Sequence, residues 1–244
     1  MALGPDYRTV SRTGTTAVGI DAGLRQYMLR VYNYMAGGVA LTGIVAYVFA
    51  QMLATNPQLV QAVYGSPLKW VIIFAPLAFA LIFGMRIHTM ATATAQLLFW
   101  AFAAVMGLSL ASIFLIYTGE SIARTFFISA GMFGAMSLYG YTTKRDLTGW
   151  GSFLFMGLIG LIIASVVNLF LGSTGLTFAI SVIGVLVFTG LTAFDTQKIK
   201  EWYSEHDEGG VMTKKAIYGA FNLYLDFINL FIMLLRLTGA ARSN

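Results

Sequence analysis

Seven stretches of unbroken apolar sequence dominate the chain, at about 32–54, 69–88, 95–117, 122–141, 151–172, 176–201 and 214–237. Each approaches the ~20 residues that a helix needs to cross the hydrocarbon core of a bilayer. This feature constrains the fold more than any motif. Within hydrocarbon every backbone N–H and C=O must be paired inside the protein, so only helices and closed barrels cross. A barrel strand would be about ten residues of alternating polarity. These runs are twice that length and do not alternate, so the chain reads as an all-α membrane protein with seven transmembrane helices. Only 10% of its 244 residues are charged, against about 25% in a soluble domain, which excludes an ordinary aqueous globule.

The connections are short. Residues 55–68 carry Pro57, Gly65 and Pro67 and read as a turn. Residues 142–150 and 173–175 read as tight turns, and 204–213 (SEHDEGGVMT) as the one strongly charged loop. The expected organisation is a polar cytosolic tail at 1–30, a transmembrane domain at 31–238 and a short C-terminal tail at 239–244. The first thirty residues carry Arg8, Arg12, Arg25 and Arg30 and no apolar core of a signal peptide.

Lysine and arginine set the orientation, because they accumulate on the cytosolic side. With the N-terminus inside, eleven fall inside: Arg8, Arg12, Arg25, Arg30, Arg86, Lys144, Arg145, Lys198, Lys200, Lys214 and Lys215. Four fall outside: Lys69, Arg124, Arg236 and Arg242. Arg236 and Arg242 oppose the bias and would fit a re-entrant seventh segment, but the stronger reading is seven spans with the C-terminus outside.

Several function classes recede. The net charge of +5 is scattered among loops, so no nucleic acid partner is expected. There is no cysteine, hence no disulfide or thiolate metal site. His88 and His206 fall on separate loops and do not form a metal site. Glu201, Glu205, Asp207 and Glu208 lack the spacing of a calcium-binding loop and read as a solvated loop. Glu120 reads as an exposed carboxylate near Arg124 rather than part of a cation-attracting mouth. Glycines and alanines such as Gly37, Gly38, Ala130, Gly134, Gly157 and Gly160 read as helix-packing positions. Trp70, Trp150 and Trp202 fall at segment ends, as an interfacial belt requires.

One residue resists this account. Asp226 lies in the middle of NLYLDFINLFIMLL, residues 222–235. A carboxylate at the centre of a membrane helix costs ~2.5–3.5 kcal/mol even on a lenient scale, and such residues face the protein interior or water. Asn222, Asp226 and Asn229 follow i, i+4, i+7 spacing and form one polar stripe. The preceding segment ends in VLVFTGLTAFDTQKIKEWY, where Thr189, Thr192 and Asp195 recur at threes. If Trp202 marks the interface, Asp195 lies roughly 10 Å below it at 1.5 Å per residue. Asp226 lies at comparable depth on an adjacent antiparallel helix. Two carboxylates in one low-dielectric site cannot both ionise cheaply, so the pair is expected to hold one proton between them. Fully ionised, Asp195 and Asp226 would offer oxygen ligands to a transient Ca²⁺. Arg86, at the inner end of the second segment in FGMRIHTM, lies at a similar level.

At these residues the sequence resembles the Bax inhibitor family. The resemblance rests on TGLTAFDTQKIK, a charged loop, AFNLYLDFINLFIMLL, and the run GLSLASIFLIYTGESIARTFFISAGMFGAMSLYGYTTKRDLT at 107–148. It covers about residues 30–238. It implies seven membrane helices with the last one central, and for bacterial members a pH-sensitive calcium leak channel in the inner membrane. The family's pH-sensing aspartate pair would be Asp195 and Asp226. Its arginine partner would be Arg86, with Thr192, Asn222 and Asn229 as supporting polar residues. Expected partners are the lipid bilayer, calcium ions as permeant species and membrane proteases. No cofactor and no enzymatic activity are expected. An intramembrane aspartyl protease would need a Gly-x-Gly-Asp sequence, whereas the contexts here are ThrAlaPheAsp and LeuTyrLeuAsp. A secondary transporter would show two related halves, and no repeat is evident. The alternative reading is a non-conducting membrane protein that modulates proteases or the stress response.

Overall fold

In the computed structural model the described residues are 13–87 and 89–242, with side chains described from residue 22 onward. Arg8, Arg12, most of the expected N-terminal tail and His88 lie outside these bounds. All regular structure among the described residues is helical: α1 (Thr13–Thr55), α2 (Pro57–Tyr64), α3 (Leu68–Arg86), α4 (Thr92–Ile116), α5 (Gly119–Thr142), α6 (Thr148–Leu171), α7 (Thr174–Glu201) and α8 (Gly209–Thr238). Every one except α2 is long and apolar enough to cross a membrane, which gives the seven spans the sequence predicts.

Two boundaries differ from the sequence reading. The first helix begins at Thr13, so Arg25 and Arg30, assigned to a tail, already lie on α1. The apolar content that marks a span starts later than the backbone helix does, because polar residues do not stop a helix whose other face is packed. Residues 55–68 are also not a bare turn but enclose α2. Asn56 caps it, accepting a hydrogen bond from the Leu59 amide at 3.1 Å, and Pro57 follows at the first helical position. Proline there lacks only an N–H that would be unpaired anyway, and it disfavours helix at the residue before it. One dipeptide thus ends α1 and starts α2. At the far end of α6 the chain reverses through Gly172, whose φ of 59° suits glycine.

The bundle has one central helix. Two thirds of the apolar window of α8 (67%) is buried, against 11% for α3 and α6, so α8 is the axis and those two are peripheral. α8 packs directly on α1, α4, α5 and α7, while α3 leans on α4 and α6 on α7. α3 also reaches α8 through Phe83, whose ring lies 4.7 Å from that of Phe221. Tyr224, fully buried, faces Phe99 and Phe102 edge-on at 6.3 and 5.6 Å. Its hydroxyl lies 2.6 Å from that of Thr42, which donates at 2.8 Å to the Ala103 carbonyl, so α1, α4 and α8 share one polar knot.

The two ends of the bundle differ in charge. At one end the starts of α1, α4, α6 and α8 meet the ends of α3, α5 and α7, and nine of the eleven basic residues assigned to the inside lie there: Arg25, Arg30, Arg86, Lys144, Arg145, Lys198, Lys200, Lys214 and Lys215. Several act as ties. Arg30 donates to Thr213 at 3.0 Å, Lys214 to the Met90 carbonyl at 3.2 Å and Lys215 to the Trp202 carbonyl at 2.9 Å. Trp202 stacks on Tyr218 with centroids 5.4 Å apart. At the opposite end the C-terminal segment pairs with the α4–α5 turn, Thr118 N–H donating to Ala240 O at 3.0 Å and Arg242 N–H to Ile116 O at 2.9 Å. α8 is one continuous helix of 30 residues, roughly 45 Å long. It is long enough to cross a bilayer in one unbroken pass, and it carries the C-terminal segment to the end of the bundle opposite the basic residues.

Candidate functional site

The aspartates meet. Asp195 and Asp226 lie on neighbouring helices with their carboxyl groups within hydrogen-bonding reach of each other. Asp226 is 4% exposed and its Oδ2 is buried without a conventional donor. Asp195 is less enclosed. Two carboxyl groups attract each other only if one of them carries a proton; both ionised, they repel. Among the described residues the charged groups facing Asp195 are Lys198 and Asp226, and the charged group facing Asp226 is Asp195.

Close helix approach makes the contact. Gly140 on α5 sits against the Ala193 carbonyl so closely that a Cβ there would overlap the backbone oxygen. A hydroxyl chain runs beside it. Tyr32 of α1 is 2.6 Å from Ser137 of α5, Ser137 is 3.0 Å from Thr196 of α7, and Thr196 donates to the Thr192 carbonyl at 2.7 Å. Closer to the basic end, Gln197 donates to Arg145 O and accepts from Leu147 N–H, both at 2.8 Å. Lys200 donates to Tyr141 O at 2.8 Å. Asp195 is therefore carried on a stretch of α7 fastened to α5 and to the start of α6. Gly219 of α8 lies on Ile199, which brings the central helix against the same stretch.

The other expected site residues do not join the pair. Arg86 is exposed at the last turn of α3, because α3 packs on α4 and turns Phe83, one turn earlier, toward α8. Thr192 is buried but donates to Phe188 O on its own helix at 2.8 Å. Asn229 likewise donates to Leu225 O at 2.8 Å, and Asn222 is half-buried without a hydrogen bond to Asp226. Thr189 Oγ1 is buried and unpaired. Membrane helices absorb isolated hydroxyls and amides through their own i−4 carbonyls, which explains why a polar stripe read from spacing need not be a polar cluster.

The remaining carboxylates belong elsewhere. Glu120 is exposed in the first turn of α5, and Arg124 donates not to it but to Thr238 O at 3.3 Å. Asp207 pairs with Lys215 at 2.6 Å. Asp146 lies just before α6 and accepts from the Thr148 amide at 2.8 Å, and hydrogen bonds from the Thr148 side chain and amide hold its carboxyl below the usual range. No group of three or more metal-ligating side chains occurs among the described residues. The hydroxyl chain, Gln197 and the Thr42–Tyr224 knot were not singled out from sequence. Their signal is only that polar residues interrupt apolar runs, without indicating a partner.

A bundle of seven long apolar helices, six of them about the central α8, with a carboxyl pair between the last two, defines a multi-pass integral membrane protein. The family model described as "Inhibitor of apoptosis-promoting Bax1" matches residues 24–243. Similar proteins include RP147 of Rickettsia prowazekii, 52% identical over 238 residues, covering 98% of this chain and 99% of that protein. The inner membrane protein YbhL of Escherichia coli K12 is 46% identical over 224 residues, covering 91% and 94%. The membrane protein SpyM3_0260 of Streptococcus pyogenes is 38% identical over 222 residues, covering 90% and 94%. The chain belongs to the Bax inhibitor family.

Proposed function

We propose that this protein is a pH-responsive calcium leak pathway of a bacterial inner membrane, held closed by the Asp195–Asp226 pair. The observation that carries the reading is the contact between two carboxyl groups on the central helix and its neighbour. The basic end is assigned to the cytosol on the positive-inside rule, and the inner-membrane name of the Escherichia coli relative supports the location.

The sign of the pH response follows from proton counting. The closed pair holds one proton between two carboxyl groups. Opening separates them, and each then titrates independently and retains fewer protons at neutral pH. Because the closed state binds more protons, raising the pH favours opening. A cation clamped on the ionised pair would reverse this sign. Arg86 is not placed to do so, and Lys198 faces Asp195 rather than Asp226.

Calcium takes six to eight oxygen ligands, and two carboxylates supply at most four. The ionised pair is thus a station on a path where water completes the shell, not a storage site. Purified protein in liposomes loaded with a calcium indicator, scanned from acid to alkaline pH, tests the reading. Calcium entry that increases with pH supports it. Absence of flux at every pH would sink it and favour a non-conducting role through protein partners such as membrane proteases.

A further inference from the structure

A groove of about 510 Å³ runs down the bilayer-facing side of the bundle between α1 and α5. It opens at the basic end, where Arg25 and Tyr141 form its rim. It extends to Tyr32 and Phe133, and the eight residues from Tyr141 to Phe133 give it a length of roughly 12 Å. Its walls are apolar: Met28 and Leu29 of α1 face Phe133 and Leu138 of α5, and Leu29 and Leu138 are exposed. The hydroxyls at its floor, Tyr32 and Ser137, are bonded to each other at 2.6 Å, so the floor needs no water. At Gly134, near the deep end of the α5 wall, a Cβ would meet nothing within 4 Å.

The rim is cationic on both sides. Arg25 projects from α1 and is exposed. Lys200 sits 5.5 Å over the Tyr141 ring while donating to the Tyr141 carbonyl. A dry apolar slot that starts under two positive charges at a membrane interface matches one kind of occupant. We infer that the α1–α5 groove is a binding site for a single anionic phospholipid, with one acyl chain along Leu29, Phe133 and Leu138 and the phosphate against Arg25. The exposed cation at the rim distinguishes it from ordinary lipid-facing surface, because it selects the headgroup while the slot holds the chain.

Native mass spectrometry of the full-length protein in neutral detergent tests this, with phosphatidylglycerol and phosphatidylcholine of identical chains added in competition. The expected result is one tightly held phosphatidylglycerol in preference to phosphatidylcholine. Gly134→Phe fills open space and should remove that adduct while leaving the melting temperature unchanged. Arg25→Gln should reduce the preference about fivefold, equivalent to the ~1 kcal/mol that a basic side chain contributes beside an anionic membrane surface. Gly160→Phe is the control, since Gly160 on α6 is also exposed and open but far from a cationic rim, and it should retain the adduct. Equal retention of the two lipids, a selective adduct that survives Gly134→Phe, or loss of the adduct in Gly160→Phe would overturn the assignment. None of these outcomes depends on calcium conduction.

Discussion

Replacing either aspartate of the pair by asparagine tests the proposed gate quantitatively. Among the described residues Asp226 faces one charged group, Asp195, and Asp195 also faces the cation Lys198. One proton is therefore available to be shared. By linkage, a transition that releases one proton changes its equilibrium constant by at most tenfold per pH unit, or about 1.36 kcal/mol. The open fraction, read as initial calcium flux in liposomes with equal pH on both sides, should increase no more steeply than this and level off once the pair is ionised. In Asp195→Asn or Asp226→Asn the amide can donate to the remaining carboxylate without any proton. The closed contact then persists across the range, and flux should be low and flat. Variants whose curves overlay the parent would remove the pair from the gate. A parent slope clearly above tenfold per unit would refute the single shared proton.

Three further outcomes test how the pair is held. Gly140→Ala forces a methyl group against the Ala193 carbonyl and should lower stability by about 1–3 kcal/mol, as overpacking generally does; a melting temperature equal to the parent's would show that the α5–α7 contact is looser than described. Thr42→Val should cost more than Tyr224→Phe in steric-trapping or thermal measurements, because the valine leaves a buried tyrosine hydroxyl without its acceptor (about 1–3 kcal/mol), whereas the phenylalanine removes one membrane hydrogen bond worth ~0.6 kcal/mol on average. The reverse order would contradict the donor assignment Tyr224→Thr42→Ala103. Gln197→Ala should deprotect the buried Leu147 amide in hydrogen exchange, since Gln197 Oε1 is its acceptor at 2.8 Å, and unchanged protection would refute that tie.

How much was legible in the sequence depended on the range of the interaction. Span number and helix type follow from local hydropathy, which the bilayer enforces residue by residue. That Asp195 and Asp226 fall on adjacent antiparallel helices was legible too, because a short loop joins the two helices. Arg86 was not legible in the same way. Its place at the end of a span was legible, but whether it faces the pair depends on the packing of α3 against α4. The polar stripe misled for a related reason: Asn229 and Thr192 find acceptors one turn back on their own helices. Gln197, Ser137 and Tyr32 show the converse. Each bonds to a helix or loop distant in sequence, and no spacing rule identifies such a partner.

The hydrogen bonds divide the bundle along a seam, and the aspartate pair lies on it. On one side α5, α6 and α7 are fastened through Gly140, Thr196, Gln197 and Lys200. On the other, α1, α4 and α8 are fastened through Thr42 and Tyr224. At the end away from the basic residues α5 and α8 are joined by Thr125 and Thr238, 3.2 Å apart, and by Arg124 on Thr238 O. Toward the basic end, among the described residues, polar contacts that cross between the two groups include Tyr32 with Ser137, Lys215 with the Trp202 carbonyl, and Asp226 with Asp195. Parting the aspartates therefore requires the two groups to separate at the basic end while the opposite end stays joined. Such a motion breaks the Tyr32–Ser137 hydroxyl contact and the Lys215 tie to Trp202. Of these contacts the carboxyl pair is the one whose strength varies with carboxyl protonation, so under the proposed gating it is where protons would act on the seam.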